Sequence, residues 1–153
     1  MTRDEVIALL AARDPIAAAA DLPVPGEVTW VRGEADGDGV EVLRYGAGTT
    51  DAQVADRLLE IAAAGGAVRS VQLVPGPDSG DRPGSWGVED LLVTAVARRV
   101  LPDVAIRPDW TTLGASACQV AVSFGASEWV IPGSDDTDPD HLAKAVGARA
   151  VAR

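Results

Sequence analysis

The chain has 153 residues, 47% of them hydrophobic, so it can bury one core, and we expect a single domain spanning residues 1–153. Acidic residues outnumber basic ones by 23 to 13, and the net charge of −10 argues against nucleic acid and membrane surfaces as partners. The one cysteine, Cys118, excludes an internal disulfide and a cysteine cluster. The lack of a basic leader or a membrane-length apolar run predicts a soluble, cytoplasmic protein.

The first 45 residues are predicted to form two helices and an antiparallel hairpin. Thr2–Arg13 carries apolar residues at helical spacing, and Pro15 begins a second, alanine-rich helix. The segments Glu27–Arg32 and Val40–Tyr45 alternate apolar and polar residues, and Asp-Gly steps in the loop between them favour a tight turn. We therefore expect these two strands to pair with each other.

From residue 46 onward, helices alternate with short apolar strands and with a loop rich in glycine and proline after Val74. The predicted helices are Thr50–Ala64, Val88–Leu101, Thr112–Phe124 and Pro139 to about Val151, and the strands are Val68–Val74, Val104–Arg107 and Glu128–Ile131. Such alternation indicates right-handed crossovers and a parallel sheet. The predicted fold class is α/β: a truncated, half TIM-barrel-like sheet of about four βα units in residues 46–153, following the N-terminal helices and hairpin of residues 1–45.

Two short motifs leave alternatives open. The glycine-rich turn YGAGTTD at Tyr45–Asp51 fits an ordinary tight turn better than a phosphate loop, because Asp51 replaces the third glycine and competes with an anion. The acidic run Asp135–Asp140 fits helix caps better than a cation site, because it lacks the framework of an EF-hand loop. His141 is the only histidine, and no metal or cofactor is expected. Cys118 lies in an apolar helix, which favours a buried structural thiol.

Polar and aromatic residues at predicted strand ends form the candidate binding site. Parallel α/β sheets bind ligands beyond the carboxyl ends of their strands. The candidates are Tyr45, Gln72, Asp109, Trp110, Glu128 and Trp129. They line either a ligand pocket or, for the two tryptophans, a sheet edge or a contact between subunits.

The segment from about Val42 to Ile131 resembles the C-terminal half of a radical SAM barrel. YGAGTTDAQVADRLL is similar to a strand end and helix start in dehypoxanthine futalosine cyclase, aminofutalosine synthase and FO synthase. Gly87–Leu91 (GVEDL) and Ala95–Arg98 (AVAR) resemble a second segment of those enzymes. A third resemblance consists of RPDW at Arg107–Trp110, Gly114, QVAV at Gln119–Val122 and FGASE at Phe124–Glu128.

The chain differs from this family at the residues that carry out the family's chemistry. The CxxxCxxC motif that holds the [4Fe–4S] cluster is absent, and Ala47 stands where the family has histidine. Ser127 and Glu128 replace an asparagine and an aspartate. The resemblance therefore implies a shared shape, with no Fe–S cluster and no radical SAM reaction.

Two functional hypotheses follow. The first is a non-catalytic half-barrel protein that binds a small metabolite or a partner protein, with menaquinone (futalosine) or deazaflavin cofactor biosynthesis as the context that the resemblance implies. Because a partial barrel has unpaired edges, the expected partner is a second copy of the chain or a related barrel enzyme. The alternative is a small enzyme with Asp109 or Glu128 as general base.

Overall fold

A computed structural model of the protein describes residues 1–35, 37–77 and 87–153, so most of the predicted loop after Val74 lies outside the described residues. Within these ranges the helices are α1 (Arg3–Ala11), α2 (Pro15–Ala19), α3 (Asp51–Ala63), α4 (Val88–Val100), α5 (Trp110–Val122) and α6 (Pro139–Lys144). The strands are β1 (Glu27–Arg32), β2 (Val40–Tyr45), β3 (Ser70–Pro75), β4 (Ala105–Arg107), β5 (Glu128–Ile131) and β6 (Arg149–Ala152).

The strands form two parallel ladders, which confirms the α/β class. One ladder has the order β2-β3-β4 and the other has the order β5-β1-β6. The two ladders meet where β4 lies beside β5. There the Ser127 N–H donates to the Ile106 carbonyl at 3.0 Å, and the Ile106 N–H donates to the Ser127 hydroxyl at 3.2 Å.

The predicted hairpin is wrong. β1 pairs in parallel with β5 and β6, whereas β2 pairs in parallel with β3. The turn residues Gly33 and Gly39 do have positive φ values of 96° and 71°. However, Gly33 donates its N–H to Ile131, and the Gly39 carbonyl accepts from Arg69, so the loop links two different ladders. Local turn chemistry marks where a strand ends, but it does not specify which strand lies beside it.

The predicted last helix is too long. α6 ends at Lys144, and β6 follows and pairs in parallel with β1. The helix is stopped by Gly147, whose φ is 75°, and by the hydrogen bond from the Ala148 N–H to the Ala143 carbonyl. The alternation in β6 is weak because its sequence, RAVA, contains two alanines, so β6 depends on pairing with β1 rather than on its own pattern.

The remaining elements agree with the sequence to within a few residues. α1 is capped by Thr2 and α2 by Asp14, and Thr50 and Gln53 form a capping box at the start of α3. Helices α1 to α4 pack with β2, β3 and β4 around one buried cluster, which includes Tyr45. α5 and α6 pack with β1, β5 and β6 around a second cluster, which includes Trp129.

α4 is the central helix of the first cluster. Eight of the nine residues from Asp90 to Arg98 are buried, so this part of the helix is covered on every side. α4 contacts α1, α2, α3 and α5, which explains why its middle part, from Leu91 to Ala97, is apolar except for Thr94. A charged side chain on this helix is therefore held inside the protein.

Candidate functional site

An apolar cavity of about 220 Å³ lies between α4 and α5 at the carboxyl ends of β2, β3 and β4. Its wall is formed by Tyr45, Leu73, Gly87, Asp90, Leu91, Thr94, Pro108, Leu113, Ala117, Val120 and Ala121. Most of these side chains are aliphatic. Tyr45 ends β2 and Pro108 directly follows β4, so the cavity occupies the place where parallel α/β sheets bind ligands.

The polar part of this wall is a buried pair formed by Tyr45 and Asp90. The Tyr45 hydroxyl donates to Asp90 Oδ1 at 2.5 Å, and the two residues are 1% and 7% exposed. Asp90 lies in the first turn of α4, where the helix dipole favours a carboxylate. Burial, and then the nearby Asp90 carboxylate, raise the pKa of Tyr45 far above its ordinary value. The phenol therefore stays protonated and acts as the donor of the pair.

The α5 side of the cavity depends on an interruption in the helix. Gly114 has φ 84° and ψ 172°, which is not a helical conformation. It lies between Leu113 and Ala117, both of which line the cavity. A residue with a side chain does not readily adopt this conformation, so glycine at position 114 lets the start and the body of α5 form one wall.

Glu128 lies in a buried ion cluster on the sheet, away from the cavity wall. Its Oε1 accepts from Arg107 Nε at 2.8 Å, and its Oε2 accepts from Arg153 Nη1 at 2.9 Å. Glu128 and Arg107 are 3% and 5% exposed. Two guanidinium groups therefore occupy both oxygens of the Glu128 carboxylate.

The other predicted site residues are dispersed. Asp109 caps α5 and accepts from the Thr112 N–H and hydroxyl. Gln72 is half-buried and donates to the carbonyls of Leu73 and Arg107. Of the six predicted site residues, the cavity wall includes Tyr45 alone.

The two tryptophans pack against each other inside the second cluster. Their ring centroids are 5.9 Å apart in an edge-on arrangement. Trp129 is fully buried and donates its indole N–H to the Cys118 carbonyl. Trp110 donates its indole N–H to Asp135 Oδ2 at 2.8 Å. Both rings therefore contribute to the core and connect α5 to the sheet and to the loop after β5.

Cys118 is a buried structural thiol. It is fully buried on α5, and burial raises the pKa of its thiol to about 12. A thiol with such a pKa is almost entirely protonated at neutral pH and is a poor nucleophile. The interpretation as a packing residue agrees with this geometry.

The two short motifs serve as caps and turns in the structure. Thr50 and Gln53 satisfy each other's backbone N–H groups at the start of α3, so these amides are already paired. In the acidic run, Asp138 caps α6, and Asp135 accepts from Thr137 and Trp110. Within the described ranges, no group of three or more histidine, cysteine or carboxylate side chains is arranged to hold a metal ion.

Asp90 and Thr94 are the site residues that the strand-end rule missed. Both belong to α4 rather than to a strand, and the Thr94 hydroxyl donates to the Asp90 carbonyl at 2.7 Å. The sequence does contain a usable signal: an aspartate and a threonine spaced four residues apart lie on one face of a helix whose middle part, from Leu91 to Ala97, is otherwise apolar.

Comparisons with known proteins do not assign the chain to a family. No protein-family model matches it, and no curated protein matches its sequence. Over residues 1–35, 37–77 and 87–153, no helix has the length and apolar character needed to cross a membrane.

Proposed function

We propose that this chain is a non-catalytic binding protein whose small-molecule ligand occupies the cavity between α4 and α5. The observation that carries the proposal is the apolar cavity of about 220 Å³ at the carboxyl ends of three parallel strands. Ligand sites in proteins are typically concave and mostly apolar, with a few polar groups that orient the ligand. Tyr45, Asp90 and Thr94 are the polar residues among those that line this cavity.

The size of the cavity sets the size of the ligand. An apolar cavity of about 150 Å³ holds benzene, so the larger cavity here accommodates an apolar group of roughly nine non-hydrogen atoms. A substituted aromatic ring or a branched aliphatic group meets this requirement. Larger ligands would extend beyond the cavity toward solvent near Val120, which is 44% exposed.

The proposal of a non-catalytic role rests on the contacts that Glu128 and Asp109 make. Glu128 is paired with Arg107 and Arg153, and Asp109 is engaged in capping α5. The alternative function, a small enzyme with one of these residues as general base, requires a carboxylate that is free to take a proton. The contacts of Glu128 and of Asp109 do not favour that alternative.

The wider context remains a proposal that rests on the resemblance of Val42–Ile131 to the radical SAM barrels. On that basis we propose that the parallel sheet is a half barrel and that the ligand or partner belongs to menaquinone or deazaflavin biosynthesis. Support for the half barrel comes from the order β2-β3-β4, which follows the chain, and from the contact of β4 with β5. An experimental structure with a flat sheet would contradict it.

Filling the cavity tests the proposed function. Toluene and indole are suitable probes, and binding at ten times the dissociation constant should stabilise the protein by about 1.4 kcal/mol, which raises Tm by roughly 3–6 °C. The variant Ala117→Phe places a ring in the cavity and should abolish this shift, because Ala117 lines the wall. Thermal denaturation with and without the probe gives the readout.

The matched control is Ala63→Phe, at an exposed position near the end of α3. It should leave the probe-induced shift in Tm unchanged. If the unsubstituted protein shows no shift with any apolar probe, or if Ala117→Phe keeps the full shift, the cavity is not the binding site.

A further inference from the structure

The accessible wall of the cavity between α4 and α5 is almost wholly apolar. Of the eleven described residues that line it, eight have no polar side-chain atom, and four of these eight are leucine or valine. Such a wall binds a ligand through the burial of hydrocarbon, which depends on neither hydrogen bonds nor charge. The shape and chemistry of this wall therefore favour a hydrocarbon group.

The three polar side chains in the wall are bonded within the protein. The Tyr45 hydroxyl donates its hydrogen to Asp90 Oδ1 at 2.5 Å, and the Thr94 hydroxyl donates its hydrogen to the Asp90 carbonyl at 2.7 Å. Each hydroxyl has a single hydrogen, so both donors are engaged. Over the described ranges, none of these three side chains has a buried polar atom without a partner. Their hydrogen bonds therefore do not require a ligand.

The Tyr45–Asp90 bond also connects two elements of the fold. Tyr45 is the last residue of β2, and Asp90 lies in the first turn of α4. A ligand hydroxyl that accepted a hydrogen bond from Tyr45 would displace this bond and remove the donor from a buried carboxylate oxygen. Because such a loss is costly, the pair opposes polar ligand groups rather than attracting them.

We propose that the group bound in this cavity is an uncharged hydrocarbon, either an aromatic ring or a branched alkyl group, without a hydrogen-bonding atom. The inference rests on the proposed function, because it assigns a ligand class to the same cavity. A hydroxyl, amino or carboxylate group placed inside would lose its hydration, and the paired wall groups would not replace it. The cavity selects its ligand by excluding polar groups.

Matched aromatic probes separate the ligand class from binding as such. p-Xylene, p-cresol and hydroquinone share one ring shape and carry no, one and two hydroxyl groups. p-Cresol can turn its hydroxyl toward solvent, whereas hydroquinone must bury one when its ring enters the cavity. We expect hydroquinone to bind roughly 100-fold more weakly than p-xylene, with p-cresol between them, because an unpaired buried hydroxyl is costly. 4-Methylbenzylamine and 4-methylbenzoate should not bind. NMR titration gives the dissociation constants.

Two variants test whether the wall hydroxyls contact the ligand. Thr94→Val keeps the side-chain shape and removes the hydroxyl, and Tyr45→Phe removes the phenol oxygen and keeps the ring. Because neither oxygen bonds the ligand, p-xylene affinity should stay within twofold in Thr94→Val, and the preference for p-xylene over hydroquinone should persist in both variants. Circular dichroism checks that each variant is folded, and Thr94→Val suffices for the test if Tyr45→Phe does not fold.

The outcomes separate the two proposals. If p-xylene binds and Ala117→Phe abolishes its binding, but hydroquinone or a charged probe binds as tightly, the hydrocarbon inference is overturned and the proposed binding function stands. The same conclusion follows if Thr94→Val removes the preference for p-xylene. If no probe binds, the proposed function fails, and the hydrocarbon inference fails with it.

Discussion

A single buried polar side chain, that of Arg98, connects several segments of the chain. Arg98 is 9% exposed and donates to the carbonyls of Gly125, Leu101, Pro102 and Val104 and to the Ser127 hydroxyl. One guanidinium group thereby joins the end of α4 to the segment before β5, next to the contact between the two ladders. Burial lowers the pKa of Arg98, yet its hydrogen bonds compensate for the lost hydration.

Replacing Gly125 by alanine should destabilise the protein strongly. A Cβ at this position would lie 2.6 Å from Arg98 Cβ, and the residue has φ 111°. Both the contact and the backbone conformation oppose a side chain, so we expect the free energy of unfolding to fall by roughly 3 kcal/mol or more. Urea denaturation gives the measurement. Gly26→Ala is the control, because a Cβ there has no atom within 4 Å, and it should change stability by less than about 1 kcal/mol.

The ionisation of Tyr45 tests whether this residue is buried beside Asp90. Its pKa is raised above the unfolded value of about 10, so the resulting stabilisation is complete below pH 10 and is lost as the pH rises further. Because Tyr45 is the only tyrosine, tyrosinate absorbance near 295 nm reports this one residue. We expect the absorbance to appear only when the protein unfolds at high pH. Ionisation near pH 10 in the folded protein, with unchanged circular dichroism, would contradict the buried pair.

Among the secondary-structure elements, the bounds of the helices agree with their local sequence patterns, whereas the pairing of the strands does not always agree. α3 and α4 agree with their predicted bounds to within one residue at each end, because apolar periodicity, and for α3 also the capping box of Thr50 and Gln53, depend on residues close together in the chain. α5 begins two residues earlier than predicted, at Trp110, because Asp109 rather than a later residue is its N-cap. β1 was predicted correctly as a strand but assigned to the wrong neighbour.

The interruption in α5 is testable with a single substitution. Gly114→Ala introduces no contact within 4 Å, so its effect comes from the backbone conformation at φ 84° and ψ 172°, which is almost confined to glycine. We expect a loss of about 1–3 kcal/mol in the free energy of unfolding. Toluene binding should weaken as well, because Leu113 and Ala117 would shift. Unchanged stability and unchanged toluene affinity would show that the interruption does not shape the cavity.

For the molecule as a whole, the exposed edges of the two ladders differ. The outer edge of β2 is partly covered, since Arg57 donates to the Val42 carbonyl at 3.1 Å and to Glu41. On β6, the N–H groups of Arg149 and Arg153 point to Gly26 and Trp30 on the β1 side. Because alternate residues of a strand point their N–H groups to opposite sides, those of Ala150 and Ala152 point outward. An edge of this kind favours pairing with another strand.

We therefore predict a homodimer that forms along β6. Light scattering should give twice the 15.7 kDa mass of one chain at micromolar concentration. Ala152→Pro removes an outward N–H without removing a hydrogen bond to β1, so it should shift the protein to the monomer while leaving circular dichroism unchanged. Ala152→Ser is the control and should remain dimeric. A monomeric unsubstituted protein, or a dimer that Ala152→Pro leaves intact, would refute this interface.

The sequence by itself determined the α/β class, most of the helices and the buried character of Cys118. These features depend on residues a few positions apart, whose spacing and chemistry can be read directly. The tertiary structure decided that β1 pairs with β5 and β6, that residues 149–152 form a strand, and that Tyr45 meets Asp90. Strand pairing and cavity formation join residues 45 to about 120 positions apart. Their energies come from burial and hydrogen bonds between distant segments, which local periodicity does not encode.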